Sequence, residues 1–460
     1  MNEILSAAYN RATTKNYLYT RHRDRWLFLL NSYVGGDEYR KGAYLTRYQL
    51  ESDSDYNQRL INTPLDNQCK SIISLYISFL FREEPDRDLG SLETSQFTPL
   101  ILEDADLDGR SMNAFMKDVA IWSQVFGHTW VAVAKPDIGA TTAADEIAAG
   151  VRPYMSVLTP LSVVDWTWSR SANGSYSLSM IRYIEEMNDT STTIKEWTRD
   201  IISTTVIALD REEATDYYEE VNGLGVIPFV LVYSERSPTR GVGLSIISDV
   251  ADQQRAEYNE MSEVEQSIRL DSHPSLVATG ETEVGTGAGA LIRLPENLDP
   301  NLKPYVLEFS GASVESIYNS IAQRRQMIDS MTNVGSVRAT ETREMSGIAI
   351  ETDFQLLNAR LSSLADNLEL AEEGIWQWIA YYYGLQWDGE IEYPSNFAIR
   401  NTDNELQRLV SAKAAVTDVN LASAIDTQIA VLLGLDFEET SPVPEVLDVS
   451  EVETDISDEE

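Results

Sequence analysis

Cysteine occurs once in this chain of 460 residues, at Cys69, and histidine three times, at His22, His128 and His273. A single thiol excludes a disulfide framework and a cysteine-ligated zinc site. Three histidines far apart leave little for a histidine-rich metal centre. Positive charge is scarce too. The 35 Lys and Arg stand against 74 Asp and Glu, a formal net charge of −39, and only eight of the cations are lysine. No apolar run reaches the roughly 18 residues of a membrane span. The opening MNEILSAAYNRATTKNY lacks the charged stretch and apolar core of a secretion signal. The expectation is an acidic, soluble, intracellular chain. Such a surplus of acid disfavours tight nucleic-acid binding, because phosphate affinity comes from clustered Lys and Arg. Lys-poor, acid-rich surfaces also occur in salt-adapted proteins, so composition by itself names no partner.

What is present excludes a disordered acidic chain: hydrophobic residues make up 43%, with nine Trp and 22 Tyr. The length suits roughly two or three domains with real cores. The charge is unevenly placed. Residues 1–50 hold eight basic residues against four acidic ones, no Lys or Arg follows Lys413, and residues 436–460 carry eleven acids.

Periodicity sorts the chain into an α+β body followed by long helices. Residues 1–50 read as helix broken at Gly35-Gly36, with Trp26, Leu27, Leu29, Leu30 and Tyr33 on an apolar face. Thr63-Pro64 reads as a helix start. Leu65, Cys69, Ile72, Ile73, Tyr76 and Leu80 make the buried stripe of that helix, and Pro85 ends it. Residues 113–126 predict a helix stopped by Gly127, and TWVAVAKP a strand. From 151 to 235 the runs YMSVL, VVDWTW, LSMIRYI, TIKEWT, STTVIAL and IPFVLVY predict a mainly antiparallel sheet. A long helix face then runs through Leu244, Ile247, Ala251, Gln254, Tyr258, Met261, Glu265 and Ile268. Residues 271–309 read as a small β excursion built on LVAT, LIRL and YVLEF. A second helix runs from about Ser313 to Met331, residues 332–345 form a polar loop, and the longest helix starts near Ser346. Phe354, Leu357, Leu361, Leu364, Leu368, Ala371, Ile375 and Trp378 carry its stripe, and Gly384 caps it. A short strand in IEYPSNFAI precedes helical pieces at 403–417 and 420–434. The acidic end, SPVPEVLDVSEVETDISDEE, has the composition of a disordered segment, and the expectation here is a docked tail.

Few local motifs point to chemistry. Asp104-Ala-Asp106-Leu-Asp108-Gly109 opens like a calcium loop, but the closing position holds Phe115 where a bidentate Glu is needed, so a turn capping a helix near Ser111 is expected. Gly285-Thr-Gly287-Ala-Gly289 lacks the Gly-Lys-Ser/Thr of a phosphate loop and reads as a hairpin tip. Gly241-Val-Gly243 precedes a helix and reads as the turn into it rather than as an anion site. His128, at a helix-to-strand corner beside Trp130, reads as a structural histidine with no nucleophile to serve. Paired carboxylates for glycoside hydrolysis cannot be singled out among 74 acids. The most informative stretch is the polar loop with Arg338 and Arg343, preceded by Arg324-Arg325, because connections of that length are often functional.

The order of elements, together with several local phrases, resembles the portal proteins, the head–tail connectors of tailed double-stranded-DNA bacteriophages. The phrases are YLTRYQLESDSDYNQRLINTPLDNQCKSIISLYISFLFREEP (44–85), DADLDGRSMNAFMKDVAIWSQVFGHTWVAVAKPD (104–137), YMSVLTPLSVVDWTW (154–168), LGVIPFVLV (224–232) and MSGIAIETDFQLLNARL (345–361). The resemblance covers most of residues 20–400. It implies a portal fold: a wing from 1–240 and 346–400, stem helices at 241–270 and 310–333, a β clip at 271–309, a tunnel loop at 334–345, and a helical crown with the acidic tail at 401–460. It implies a ring, usually of about twelve subunits, at the capsid vertex of a virion assembled in the host cytoplasm. DNA would pass through the channel without sequence specificity during packaging and ejection. The implied partners are the terminase large subunit, a head–tail adaptor and the major capsid protein, with no membrane, no cofactor, no metal and no catalytic residues. Arg338 and Arg343 would face DNA from the tunnel loop, with Arg324 and Arg325 on the stem. Glu281, Glu283, Gly285, Gly287, Gly289 and Arg293 would dock the partner at the clip. Side-by-side packing in a ring would bury the stripes of three long one-faced helices that a lone chain leaves uncovered. Two other classes stand beside this one: an acidic, salt-adapted glycoside hydrolase, and a different structural virion protein.

Overall fold

The computed structural model describes residues 2–136, 138–139, 145, 148–272, 275–277, 305–307, 312–338, 347–397, 402–416 and 419–432. The chain divides into two units, Met1–Phe397 and Ala398–Glu460.

The first unit begins with α1 (Asn2–Thr13), α2 (Tyr17–Val34) and α3 (Gly36–Lys41). The break expected at Gly35-Gly36 is present, with both glycines at positive φ. A second break, unmarked by glycine, falls at Asn16, whose side chain caps α2 by accepting from Leu18 N. Helices α4 (Asp53–Asn62) and α5 (Gln68–Leu80) correct the expected start at Thr63-Pro64. Thr63 instead closes α4, its hydroxyl donating to Arg59 O at 2.7 Å. Asn67 opens α5 by accepting from Lys70 N. The stripe itself stands as expected, with Cys69, Ile72, Ile73, Tyr76 and Leu80 fully buried. After β1 (Asp86–Asp88) and α6 (Thr98–Glu103) comes α7 (Met112–Phe126), which Gly127 ends at φ 90°, turning the chain into β2 (His128–Ala134).

Strand β2 lies between β3 (Tyr154–Leu158) and β9 (Phe229–Tyr233) in one antiparallel sheet. A second antiparallel sheet runs in sequence order through β4 (Val163–Arg170), β5 (Tyr176–Met187), β6 (Ser191–Thr198), β7 (Ile201–Ala208) and β8 (Glu213–Val221). The six runs expected between 151 and 235 are all strands, β3 to β7 and β9, divided between the two sheets. Strand β8 escaped the sequence reading because it is an edge strand, with only Ala214 buried and acids elsewhere along it.

Short strands β10 (Glu235–Arg236) and β11 (Gly243–Leu244) lead into α8 (Ser248–Ser272). Strands β12 (Ser275–Val277) and β13 (Tyr305–Leu307) pair antiparallel, so the chain leaves and returns along one ribbon. Helix α9 (Ala312–Thr332), the helical turn α10 (Gly335–Arg338) and α11 (Gly347–Tyr382) come next, and β14 (Glu390–Glu392) pairs back onto β1. With 36 residues, α11 is about 54 Å long. Its inner face, Leu357, Leu361, Leu364, Leu368, Ala371 and Ile375, is buried within the single chain, in the same core as Trp130, Trp376, Tyr76 and Phe115. This corrects the expectation that a lone chain leaves this stripe uncovered: the α+β body already covers it. On α8 the stripe holds at Ile247, Ala251, Gln254 and Tyr258 but fails at Ile268, which is exposed, and Leu244 belongs to β11. The second unit contains α12 (Thr402–Ala415) and α13 (Val419–Leu432), joined by an ion pair between Lys413 and Asp426. The acidic end lies outside the described residues.

One close approach holds the α7–β2 corner against the start of α8. A Cβ on Gly243 would sit 2.0 Å from Gly127 O, which already accepts from Ser234 N. Gly243 N donates to His128 Nδ1 at 3.2 Å, and burial pushes the imidazole down to about 3, so His128 is a neutral acceptor within the core. Gly241-Val-Gly243 is therefore a packing device. Replacing Gly243→Ala forces backbone apart from backbone and should cost about 3 kcal/mol or more, read as a lowered denaturation midpoint. Gly225→Ala, whose Cβ would meet nothing within 4 Å but whose φ is 64°, should cost only the smaller strain of its backbone.

Candidate functional site

The candidate site is the segment from α8 to the start of α11, where the sequence placed its isolated arginines. Helices α8 and α9 run antiparallel, and their contact is written in charge. Arg324 reaches Glu260 (Nη2 to Oε1, 2.8 Å) and Gln253 Oε1 (3.1 Å), while Ser320 Oγ donates to the same Glu260 oxygen at 2.9 Å. Arg325 lies one residue on and binds Glu257 Oε1 at 2.8 Å and Asp66 Oδ2, just before α5, at 2.8 Å. Arg324 and Arg325 are thus tied to carboxylates of the chain itself. Their partners Glu257 and Glu260 were not picked out from sequence. The signal was there in outline: two acids at i, i+3 on one long helix and an Arg-Arg pair on the next.

Burial makes the Glu257 pairing consequential. Its side chain is 2% exposed, its second oxygen has no partner among the described residues, and burial raises its carboxyl above the usual range while Arg325 pulls it down.

The expected polar loop begins differently from its sequence reading. Helix α9 ends with Asn333 in the left-handed region (φ 53°), and Val334 N bonds to Asp329 O at 3.1 Å, a Schellman-type end with Asn in place of Gly. Thr332 and Val334 are buried, and residues 335–338 make the helical turn α10 rather than open loop. This stretch is tied down from two sides. Tyr76 of α5 donates to Thr332 O at 2.5 Å, and Arg360 of α11 donates to Met331 O at 3.0 Å. Arg338 donates to Asp329 Oδ1 at 2.9 Å and to Gln68 Oε1 at 2.5 Å, so its guanidinium is held by α9 and α5. A free cation at a loop tip is not what these bonds describe. Arg343 lies outside the described residues, as do Glu281, Glu283, Gly285, Gly287, Gly289 and Arg293. Of the β excursion that carries the last six, only the paired strands at its base are described.

The aspartate-rich turn resolves into local structure. Asp104 Oδ1 accepts from Gly109 N (2.9 Å), Asp106 Oδ1 from Asp108 N (3.0 Å), and Asp104 Oδ2 from Arg152 Nη2 (2.9 Å). These carboxylates order a turn, after which Ser111 caps α7 through Ala114 N. No group of three or more potential metal ligands is assembled among the described residues, and no described helix is long and apolar enough to cross a membrane.

The ion pairs predict a pH-dependent cost. Because Glu257 has a folded value raised above its unfolded one, the proton's contribution to stability is complete below about pH 4.5 and fades as pH rises through the folded value. Arg325 acts only on the ionised form. Arg325→Gln should therefore cost about 1 kcal/mol at pH 7, the figure being reduced because Arg325 is half exposed, and less at pH 4, where the contact to Asp66 is the part that remains. Urea denaturation at the two pH values reads the difference.

Residues 247–383 match a family model described as a domain of unknown function, DUF4055, which runs from the start of α8 past the end of α11. No curated protein matches the chain. Among solved structures the chain is similar to a chain in the neck of an empty GTA particle computed with C6 symmetry. That match has 12% identity and a TM-score of 0.48, covering 88% of this chain and 99% of that one. It is also similar to a chain in the neck of a native GTA particle computed with C12 symmetry, with 11% identity, a TM-score of 0.46 and the same coverage.

Proposed function

We propose that the chain is the subunit of a ring-shaped head–tail connector of the portal type, at the capsid vertex of a tailed virion. The observation that carries this reading is the order of elements. An α+β body is followed by an antiparallel helical hairpin whose two helices are separated by an antiparallel β excursion, and then by a helix of 36 residues that returns through the body. Nothing in the chemistry of the described residues competes with it. Their buried charges are paired with one another, and their carboxylate turns are closed by backbone N–H groups.

On this reading α8 and α9 form the stem, the ribbon that starts at β12 and β13 leads to the clip, and the tunnel loop expected at 334–345 belongs to the inner constriction. The clip would meet first the terminase large subunit and then a head–tail adaptor, and the body would meet the major capsid protein. The protein is not an enzyme on this reading, and the work of packaging belongs to the terminase. Double-stranded DNA passes without being read. A net charge of −39 keeps the duplex from sticking, since only neutralised phosphates release counterions and bind. The role of touching DNA falls to Arg343, because Arg338 is already engaged with Asp329 and Gln68.

Negative-stain images of the purified protein should show rings with an axial hole, and a native mass should give an integral multiple of the 51.6 kDa chain. A chain that stays monomeric at every concentration overturns the reading. Arg343→Ala should leave ring formation intact and impair packaging or retention of DNA, measured as the fraction of filled heads. Unchanged filling would remove Arg343 from that role.

A further inference from the structure

The five-stranded sheet has opposite chemistry at its two edges. At the β4–β5 end, Arg170, Arg199 and Arg240 are exposed, and none has a carboxylate partner among the described residues. These arginines are engaged instead with aromatic rings and hydroxyls. The Arg240 guanidinium lies 3.9 Å from the centroid of the Tyr176 ring and 5.6 Å from that of Trp168. Arg170 lies 5.6 Å from the Tyr176 ring, and Arg199 donates to the hydroxyls of Ser169 and Ser177. Beside them opens a cleft of about 410 Å³, walled by Trp168, Tyr176, Leu178, Phe229 and Trp378, with Arg199 on its rim and no acid in its lining. Trp168 Nε1 has no acceptor among the described residues. Trp, Tyr and Arg gathered round a concavity are the residues that dominate protein–protein contacts.

Across the sheet, β8 offers the complement. Its outer edge pairs with no described strand. Asp216 and Glu220 are exposed there without a basic partner among the described residues, and between and beyond them Tyr218 and Val221 are 55% and 82% exposed. Four strand spacings, about 19 Å, separate this edge from β4. One edge is cationic and aromatic, with a cleft. The other is anionic, with protruding apolar side chains.

Two different and complementary edges on one subunit describe a head-to-tail contact, which closes into a ring when the rotation per subunit allows. Resting on the ring reading, we propose that the β4–β5 edge of one copy receives the β8 edge of the next. Arg170 and Arg240 meet Asp216 and Glu220, and Tyr218 or Val221 enters the aromatic cleft. A second copy is the occupant because the chain itself carries, on β8, the unpaired acids and protruding apolar side chains that such a patch needs. The contact also gives each subunit a way to join a neighbour of the same net sign, since local complementarity can outweigh screened long-range repulsion.

Sedimentation velocity, with negative-stain imaging, tests this on the full chain. The variant R170E/R240E and the variant D216K/E220K should each require at least about tenfold more protein to assemble than the parent, because each places like charges against one another. An equimolar mixture of the two should recover rings, since each then presents an edge that suits the other. The fourfold swap in one chain should do the same. Such recovery cannot come from misfolded protein. Rings that form normally in both variants, or a mixture that fails to recover, overturn the proposed edges while leaving the ring reading standing. A parent chain that forms no rings overturns the ring reading itself, and with it this inference.

Discussion

A single buried carboxylate sets where the long helix lies. Glu372, in the middle of α11, is fully buried and accepts from four donors: Arg87 Nε at 2.5 Å, Arg87 Nη2 at 3.2 Å, Trp376 Nε1 at 3.2 Å and Tyr393 OH at 2.6 Å. Arg87 sits on β1 and Tyr393 comes directly after β14, and these two strands pair with each other, so the site closes a loop of chain around the helix. Burial, and next the Glu372 charge, drives the Tyr393 hydroxyl far above its ordinary range, so it stays a donor. A buried ion pair of this kind adds little net stability over an apolar substitute, but losing one member strands the other at a cost of several kcal/mol. Its effect is on register. A slide of α11 by one turn would break the three bonds to Arg87 and Tyr393 at once, the Trp376 bond lying within the helix itself, and the places where Arg360 reaches Met331 O and the inner stripe meets the core depend on that register.

The same device recurs wherever distant segments meet. Arg182 binds Glu196 (Nε to Oε2, 2.7 Å) and Asp165 (3.2 Å) across three strands, and also holds Thr14 O between α1 and α2. Arg59 grips both oxygens of Glu51, reaches Ser262 on α8, and lies 4.0 Å from the Tyr48 ring centroid. The Arg59 hydrogen bonds hold the Glu51 carboxyl below the usual range. A planar fork can satisfy two oxygens and a carbonyl at once, which an ammonium cannot. This gives a physical sense to the scarcity of lysine: the few cations of an acid-rich chain are mostly the kind that can join three elements at a single point.

Much of this architecture was legible in the sequence because helices and half-buried strands announce their period. The stripes of α5 and α11, the stop at Gly127 and the six strands expected between 151 and 235 come from local pattern alone. The failures have local causes. Thr63-Pro64 has the chemistry of a helix start, but the same threonine hydroxyl also closes a helix by bonding back to i−4, and the preceding helix claimed it. Strand β8 hides because an edge strand under one short helix needs almost no apolar face. Residues 332–338 look polar, yet Val334 is a core residue, and only the left-handed Asn333 signals that the helix turns inward there. The arginines were correctly singled out as unusual. Of their partners, Glu257 and Glu260 were legible only in outline, as two acids at i, i+3 on the neighbouring long helix, while Asp66 and Gln68 are far away in sequence and only packing brings them in.

Charge distribution then links the fold to the proposed role. A channel through which a duplex slides must avoid strong phosphate contacts, and a surface on which every strong cation is already bound to a carboxylate meets that condition without being uniformly negative. Arg324, Arg325 and Arg338, at the stem and tunnel-loop positions that the proposed reading gives them, illustrate it: each is occupied by Glu260, Glu257 or Asp329. Lining a wall with neutralised pairs differs from lining it with acids alone, because the pairs present little net field at close range while the excess acid repels at longer range, within a Debye length of about 8–10 Å. The arginines at the β4–β5 edge break this pattern, being exposed and paired only with aromatic rings and hydroxyls. Arg170, Arg199 and Arg240, gathered at one edge of a sheet whose other edge is acidic, carry positive charge that no carboxylate among the described residues neutralises, and a neighbour as acidic as this chain is the partner that would neutralise it.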